Sequence, residues 1–204
     1  MTLSWSARVI WIVGVLGCLH TAPVSAHGVE PALRSTRVLF AATPVPPVGE
    51  ALPAITQTTR ARLLVLLAQG NIPGAIEMWK HHTGREAPKV LRAMQAAYGA
   101  ANQVAGACVR VARDIHAGFR ELGGKPQYLK FTPPGNTPYL GWEMKAGVPQ
   151  STIQISDTGM HCAVQFKDRV YDAFTGPQGM LFDDYLKRLI AHGGTPVKQV
   201  VESL

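Results

Sequence analysis

The sequence predicts an α+β protein, and three observations carry that prediction. Helical periodicity runs from about residue 58 to Leu122, a period of two takes over after Gly124, and a second helical pattern follows Gly179. Helices first, then a meander of short strands, then a helix imply a helical layer packed on a small, mainly antiparallel sheet. Hydrophobic residues make up 47% of the 204 and charged residues only 16%, a balance that excludes a disordered chain. The length fits one domain of ordinary size with extra segments. Repeats of solenoid, heptad or collagen type are absent.

The first 26 residues differ in kind from the rest. Arg8 is their only formal charge, Val9–Gly17 is apolar, and Val24-Ser25-Ala26 reads as a small-residue cleavage site. Nine apolar residues are too few to span a bilayer, which takes about 20, so the segment reads as a secretory signal peptide cleaved after Ala26. A rival reading is lipid attachment at Cys18, since Val15-Leu16-Gly17-Cys18 loosely resembles a lipobox. Either way the mature chain is expected to be secreted or periplasmic, with no stable membrane insertion once the signal is gone. Residues 27–56, with Pro44, Pro46, Pro47 and Pro53, read as an extended linker or arm. Cleavage would leave His27 as an amino-terminal residue able to chelate copper, but the β-sandwich that normally supplies the second ligand is not foreseen, so no metal and no cofactor are expected.

The formal net charge is +7. Its carriers, among them Arg34, Arg37, Arg60, Arg62, Arg110, Arg113 and Arg120, sit singly or in pairs without interleaved aromatics. That excludes a nucleic-acid groove and leaves a general attraction to anionic surfaces.

Residues 57–103 form a helical segment, read either as completing the core or as a pro-segment over a cleft. Thr59 is expected to cap a helix carrying Leu63, Leu64, Leu66 and Leu67, with Gly70 as its stop. Pro73 suits the first turn of a helix through Trp79 that Gly84 ends, and Pro88 opens another with Leu91, Met94 and Tyr98 on one side. Residues 104–204 form the remaining domain. Its first helix carries Cys108, Val111, Ala112, Ile115, Phe119 and Leu122 on one face, with His116 facing solvent and Gly123-Gly124 as the stop. A break at Gly106 would put Cys108 in the first helical turn. Strands are expected at Gln127–Phe131 and Thr152–Ile155, separated by a long loop over 132–150, and a hairpin of Met160–Phe166 with Arg169–Phe174 turns at Lys167-Asp168. A helix from Leu181 through Ile190 and a last strand at Val197–Val201 complete the chain.

The mature chain keeps two cysteines, Cys108 and Cys162. In an oxidising compartment they read as a structural disulfide, or one of them is a reactive thiol. A thiol nucleophile needs a helix amino terminus or a cation to favour thiolate, an imidazole beside the sulfur and a group that orients the imidazole. Cys108 meets the first requirement if its helix starts near Gly106. In the hairpin, His161 and Asp172 become diagonal neighbours on one face, close enough for the carboxylate to accept the Nδ1 proton. Cys162 lies on the opposite face, so strand alternation predicts that it cannot bond to Cys108 if His161 faces that sulfur. Asn102 and Gln103 lie just upstream as candidate oxyanion donors beside the Cys108 amide.

These residues resemble a known family. Gly106-Ala-Cys108-Val-Arg-Val-Ala-Arg-Asp-Ile-His116, the stretch Leu122–Phe131, Gly159-Met-His161-Cys-Ala-Val, Arg169-Val-Tyr-Asp172 and Gly179-Met-Leu-Phe-Asp-Asp-Tyr-Leu186 are similar to the papain-fold toxin domains of bacterial polymorphic toxin systems. The resemblance spans roughly residues 104–190. It implies a papain-like fold, with Cys108 as nucleophile, His161 as base and Asp172 as orienter. It also implies a cysteine peptidase or glutamine deamidase working through a thioester, on a protein or peptide substrate, with an immunity or inhibitor protein as a partner. Two rivals stand beside it: a periplasmic cell-wall peptidase, and a non-catalytic binding module held by a Cys108–Cys162 disulfide.

Overall fold

A computed structural model describes residues 55–135 and 137–204. The signal-peptide, Cys18 and His27 readings, and nearly all of the arm, lie outside the described residues.

The helices begin and end where backbone chemistry requires. The Thr56 side chain accepts a hydrogen bond from the Thr59 amide (3.1 Å) and caps α1, Gln57–Ala68, so the cap lies three residues before the Thr59 expected from sequence. Asn71 caps α2, Ile72–Thr83, by accepting from the Gly74 amide at 2.9 Å. Pro73 sits in the first turn of α2, where a missing N–H costs nothing, and Gly84 closes the helix in the left-handed conformation. α3, Lys89–Ala97, starts directly after Pro88. A short 3-10 turn at Ala100–Asn102 leads to α4, Cys108–Glu121. Gly106, at φ +82°, makes the break that lets α4 begin at Cys108, since a Cβ is disfavoured at that angle.

The strands are β1, Gln127–Thr132; β2, Leu140–Glu143; β3, Thr152–Ser156; β4, His161–Phe166; β5, Arg169–Tyr171; and β6, Met180–Leu181. Helix α5, Phe182–Arg188, then precedes β7, Leu189–Ala191, and β8, Val197–Val201. Every pairing is antiparallel, in a five-stranded sheet ordered β6-β5-β4-β1-β8 and a three-stranded sheet ordered β3-β2-β7. The molecule is α+β, as the sequence predicts.

Two elements differ from the sequence reading. The loop expected over 132–150 contains β2, whose burial lacks the alternation that marks a strand. The helix expected to run through Ile190 stops at Arg188: Leu189 turns extended (φ −84°, ψ 112°) and pairs with Trp142. Arg188 fixes the exit by donating to the Glu143 carbonyl at 2.9 Å.

Two buried clusters cover the two faces of the five-stranded sheet. The first joins Leu63, Leu67, Ile72, Trp79, Leu91 and Met94 of α1–α3 to Val111, Ile115 and Phe119 of α4 and to Cys162, Val164, Phe166 and Tyr171 of the sheet. Residues 57–103 thus share one core with the sheet rather than lying over it as a cover. Helices α3 and α4 approach so closely at Gly118 that a Cβ there would overlap the Met94 side chain. The second cluster, between the two sheets, holds Leu129, Phe131, Leu140, Trp142, Ile155, Ala163, Val170, Tyr185 and Leu189. Strand alternation decides the division: Leu129 and Phe131 pair with Ala163 and His161 on one face, while Tyr128 and Lys130 pair with Val164 and Cys162 on the other. His116, expected to face solvent, instead stacks on Tyr128 with ring centroids 4.0 Å apart, and burial is the main reason its pKa is lowered. Among the described residues no helix is long and apolar enough to cross a membrane.

Candidate active site

The hairpin β4–β5 brings His161 and Asp172 together. Lys167-Asp168 forms its two-residue turn, with Lys167 at φ +58°, and the register runs Val164↔Tyr171, Gln165↔Val170 and Phe166↔Arg169, as the sequence predicts. β5 ends at Tyr171, three residues short of the predicted Phe174, because the Asp172 carboxylate folds back on its own chain. Its Oδ1 accepts from the amides of Phe174 (2.8 Å) and Thr175 (2.9 Å), a local turn that competes with the strand ladder.

The other carboxylate oxygen serves the histidine. Asp172 Oδ2 lies 2.9 Å from His161 Nε2 and accepts from the Tyr185 hydroxyl at 2.8 Å. His161, Asp172 and Tyr185 are all essentially inaccessible to solvent. Burial opposes the charge on Asp172, but the hydrogen bonds and charge of His161, then Tyr185 and the Thr175 amide, outweigh it and lower its pKa. An ionised carboxylate only accepts, so Nε2 carries the proton and Nδ1 is the nitrogen free for chemistry. This reverses the expected use of the ring, in which Asp172 took the Nδ1 proton. The reason is that Asp172 sits past the end of β5, on the Nε2 side of the ring.

Nδ1 is buried and has no hydrogen bond of regular geometry. The neighbour acting on the ring besides Asp172 is the sulfur of Cys108. Burial pushes the His161 pKa down, but the bond to Asp172, followed by the interaction with Cys108, raises it to about 9.

Cys108 is the first residue of α4 and is half-buried. Ala107, which precedes it, provides no side-chain cap, so the first amides of the helix remain available to an anion. The Cys108 pKa is strongly lowered: the hydrogen bond from the Cys162 thiol is the largest cause, burial opposes it, and His161 adds its hydrogen bond and charge. Both shifts run in the direction that favours the proton on the imidazole and the charge on the sulfur. The Cys162 pKa is raised, first because its thiol donates to the Cys108 sulfur and then by burial.

Strand alternation led to the expectation that Cys162 would not bond to Cys108, and the two are unlinked, yet the Cys162 thiol neighbours the Cys108 sulfur. Alternation does hold, with Cys162 in the helical cluster and His161 on the other face. The two side chains nevertheless converge on one sulfur, because α4 starts where β4 starts and Cys108 faces the end of the strand. Both thiols are free.

The candidate oxyanion donors separate. Asn102 Nδ2 donates to the Ala96 (2.8 Å) and Ala97 (3.2 Å) carbonyls and its Oδ1 accepts from Arg110, so this side chain closes the end of α3 and is not a free donor. Gln103 Nε2 donates to the Ala173 carbonyl (3.0 Å), beside Asp172, and keeps its second N–H.

Sequence reasoning missed Tyr185, placed on an apolar helix face. A tyrosine among core positions needs a partner for its hydroxyl, and that was the available signal. It also missed Tyr98, at the end of α3, whose buried hydroxyl has no partner. Burial, then Tyr171 and Asp172, raise the Tyr98 pKa. A cleft of about 400 Å³, lined by Thr132, Pro133, Thr137, Pro138, Thr158 and Gly159, opens where β1 ends and β4 begins. Among the described residues no group of three or more His, Cys, Asp or Glu converges as metal ligands would. No family model, curated protein or solved structure matches the chain.

Proposed function

We propose that the protein is a papain-like thiol hydrolase acting on a peptide or glutamine carboxamide bond. The observation that carries this reading is a buried, hydrogen-bonded Asp172–His161 pair whose imidazole acts on a half-buried sulfur at a helix amino terminus. In the proposed mechanism the Cys108 thiolate attacks the carbonyl carbon, and the oxyanion draws on the Cys108 amide and the second N–H of Gln103. Protonated His161 gives its Nδ1 proton to the leaving amine or ammonia, and a thioester remains on Cys108. Neutral His161 then takes a proton from water, whose attack on the thioester releases the acid and restores the thiolate–imidazolium pair. Asp172 keeps the ring in the useful tautomer throughout and does not itself change protonation.

The substrate in this reading is a protein or peptide. The secreted setting extends this reading through the signal-peptide pattern, and the toxin or effector role, with an immunity or inhibitor protein, through the sequence resemblance. A peptidyl electrophile tests the core of it. Wild type is expected to be labelled at Cys108 near neutral pH and His161→Ala to be labelled far more slowly; equal rates would overturn the relay. Product analysis then names the reaction. Ammonia released from a glutamine-containing protein identifies a deamidase, new peptide termini a peptidase, and clearing of purified cell wall in a zymogram a wall peptidase.

A further inference from the structure

The cysteine the mechanism does not use is placed for a second chemistry. Cys162 is the second residue of β4, fully buried, facing the helical layer where α4 begins with Cys108. Cys108 packs against the cluster that holds Cys162, both are free thiols, and each sulfur is the other's largest electrostatic influence. Their exposure differs in a useful way. Cys108 is half-buried and keeps some contact with solvent, whereas Cys162 is fully buried.

We propose that Cys108 and Cys162 form a reversible internal disulfide, driven by small-molecule or protein disulfides, that closes the nucleophile in oxidising surroundings and frees it in reducing ones. In the first step the Cys108 thiolate attacks one sulfur of the oxidant, expelling a thiolate and forming a mixed disulfide. In the second, the Cys162 sulfur attacks Cys108 Sγ, its proton passing to the thiolate already released, and the second half of the oxidant departs as a thiolate that takes a proton from solvent. The two protein thiols lose two electrons and two protons, and one oxidant disulfide becomes two thiols. The lowered Cys108 pKa suits the first attack; the Cys162 pKa is raised first by its bond to the Cys108 sulfur, and that cause ends once Cys108 is in the mixed disulfide, so the Cys162 thiol can then give up its proton and attack. Closing and reopening activity in this way rests on the hydrolase reading, but the bond itself does not.

The test uses the full chain, reduced and then exposed to glutathione disulfide, with peptide mapping by mass spectrometry and iodoacetamide labelling. Wild type is expected to yield a linked Cys108–Cys162 peptide lacking two hydrogens, to carry no glutathione at Cys108, and to lose Cys108 labelling until dithiothreitol restores it. Cys162→Ser is expected instead to keep glutathione on Cys108 as a stable adduct. Wild type that holds glutathione on Cys108, with Cys162 still alkylatable after denaturation, overturns the proposal, and this readout does not depend on the variant folding. A linked peptide without any hydrolase activity would sink the proposed function and leave the switch standing; activity that persists through oxidation with no linked peptide would do the reverse.

Discussion

On the helical face of β4, Cys162 and Val164 pack beneath α4, whereas on the opposite face His161 and Ala163 stand among Phe131, Phe174 and Tyr185. The first face is almost wholly apolar and delivers a sulfur at the start of a helix. The second buries a carboxylate, an imidazole and a phenol that satisfy one another: Asp172 accepts four hydrogen bonds, two from backbone amides and two from side chains. The difference teaches where errors are tolerated. Apolar packing degrades gradually with lost volume, while a buried ionic group left without its partner is destabilising by about 3–5 kcal/mol.

The largest effect is expected from His161→Ala, which removes the link between the two faces. Turnover should fall by about 10²- to 10⁴-fold, the range for general acid–base catalysis. In wild type the thiolate–imidazolium pair spans the interval from the lowered Cys108 pKa up to about 9, so iodoacetamide labelling should hold a plateau through neutrality. In the variant the rise should move toward the ordinary thiol value of about 8.5. A labelling profile identical to wild type would show that the faces are not coupled. If Gln103 is the oxyanion donor of the proposed mechanism, Gln103→Ala should cost about 10²- to 10³-fold in turnover, with the labelling profile unmoved.

Gly118→Ala tests the helical face alone. Overlap with Met94 should lower stability by about 1–3 kcal/mol in denaturant unfolding, less whatever the better helix former returns. The pH profile of labelling should stay in place; a shift would mean that packing at α3 and α4 sets the ionisation.

Tyr185→Phe tests the other face and has the smallest effect, about 1.5 kcal/mol for one hydrogen bond to a charged group. Its signature is directional. The depressed Asp172 pKa contributes stability that is present above the ordinary carboxylate value of about 3.9 and lost as pH falls through the folded value. Without the tyrosine donor that folded value rises, so acid unfolding should begin at higher pH than in wild type. The alkaline limb belongs to His161, whose raised pKa contributes stability present below about 6.5 and lost as pH rises through about 9, and it should shift less.

Much of this arrangement was legible in the sequence. Apolar spacing exposed α4 and its face, Gly106 marked the break before Cys108, and the turn residues set the hairpin register. Three things were not legible, each for a physical reason. β2 is buried at Leu140, Gly141 and Trp142 in succession, so no period of two exists to be read. Leu189 and Ile190 fit a helical stripe as well as they fit a strand, and only pairing with β2 decides between them. The ring orientation of His161 depends on where β5 ends, which the Asp172 side chain sets through its own backbone turn.

The start of α4 beside the start of β4 has a practical consequence. The carboxylate and imidazole are neighbours along the chain, eleven residues apart on one hairpin, but the sulfur arrives from a distant segment and is ionised only while the helix is docked. Any opening that lifts α4 from the sheet returns Cys108 to an ordinary, sluggish thiol. In the proposed mechanism, rapid alkylation at neutral pH therefore counts correctly assembled molecules.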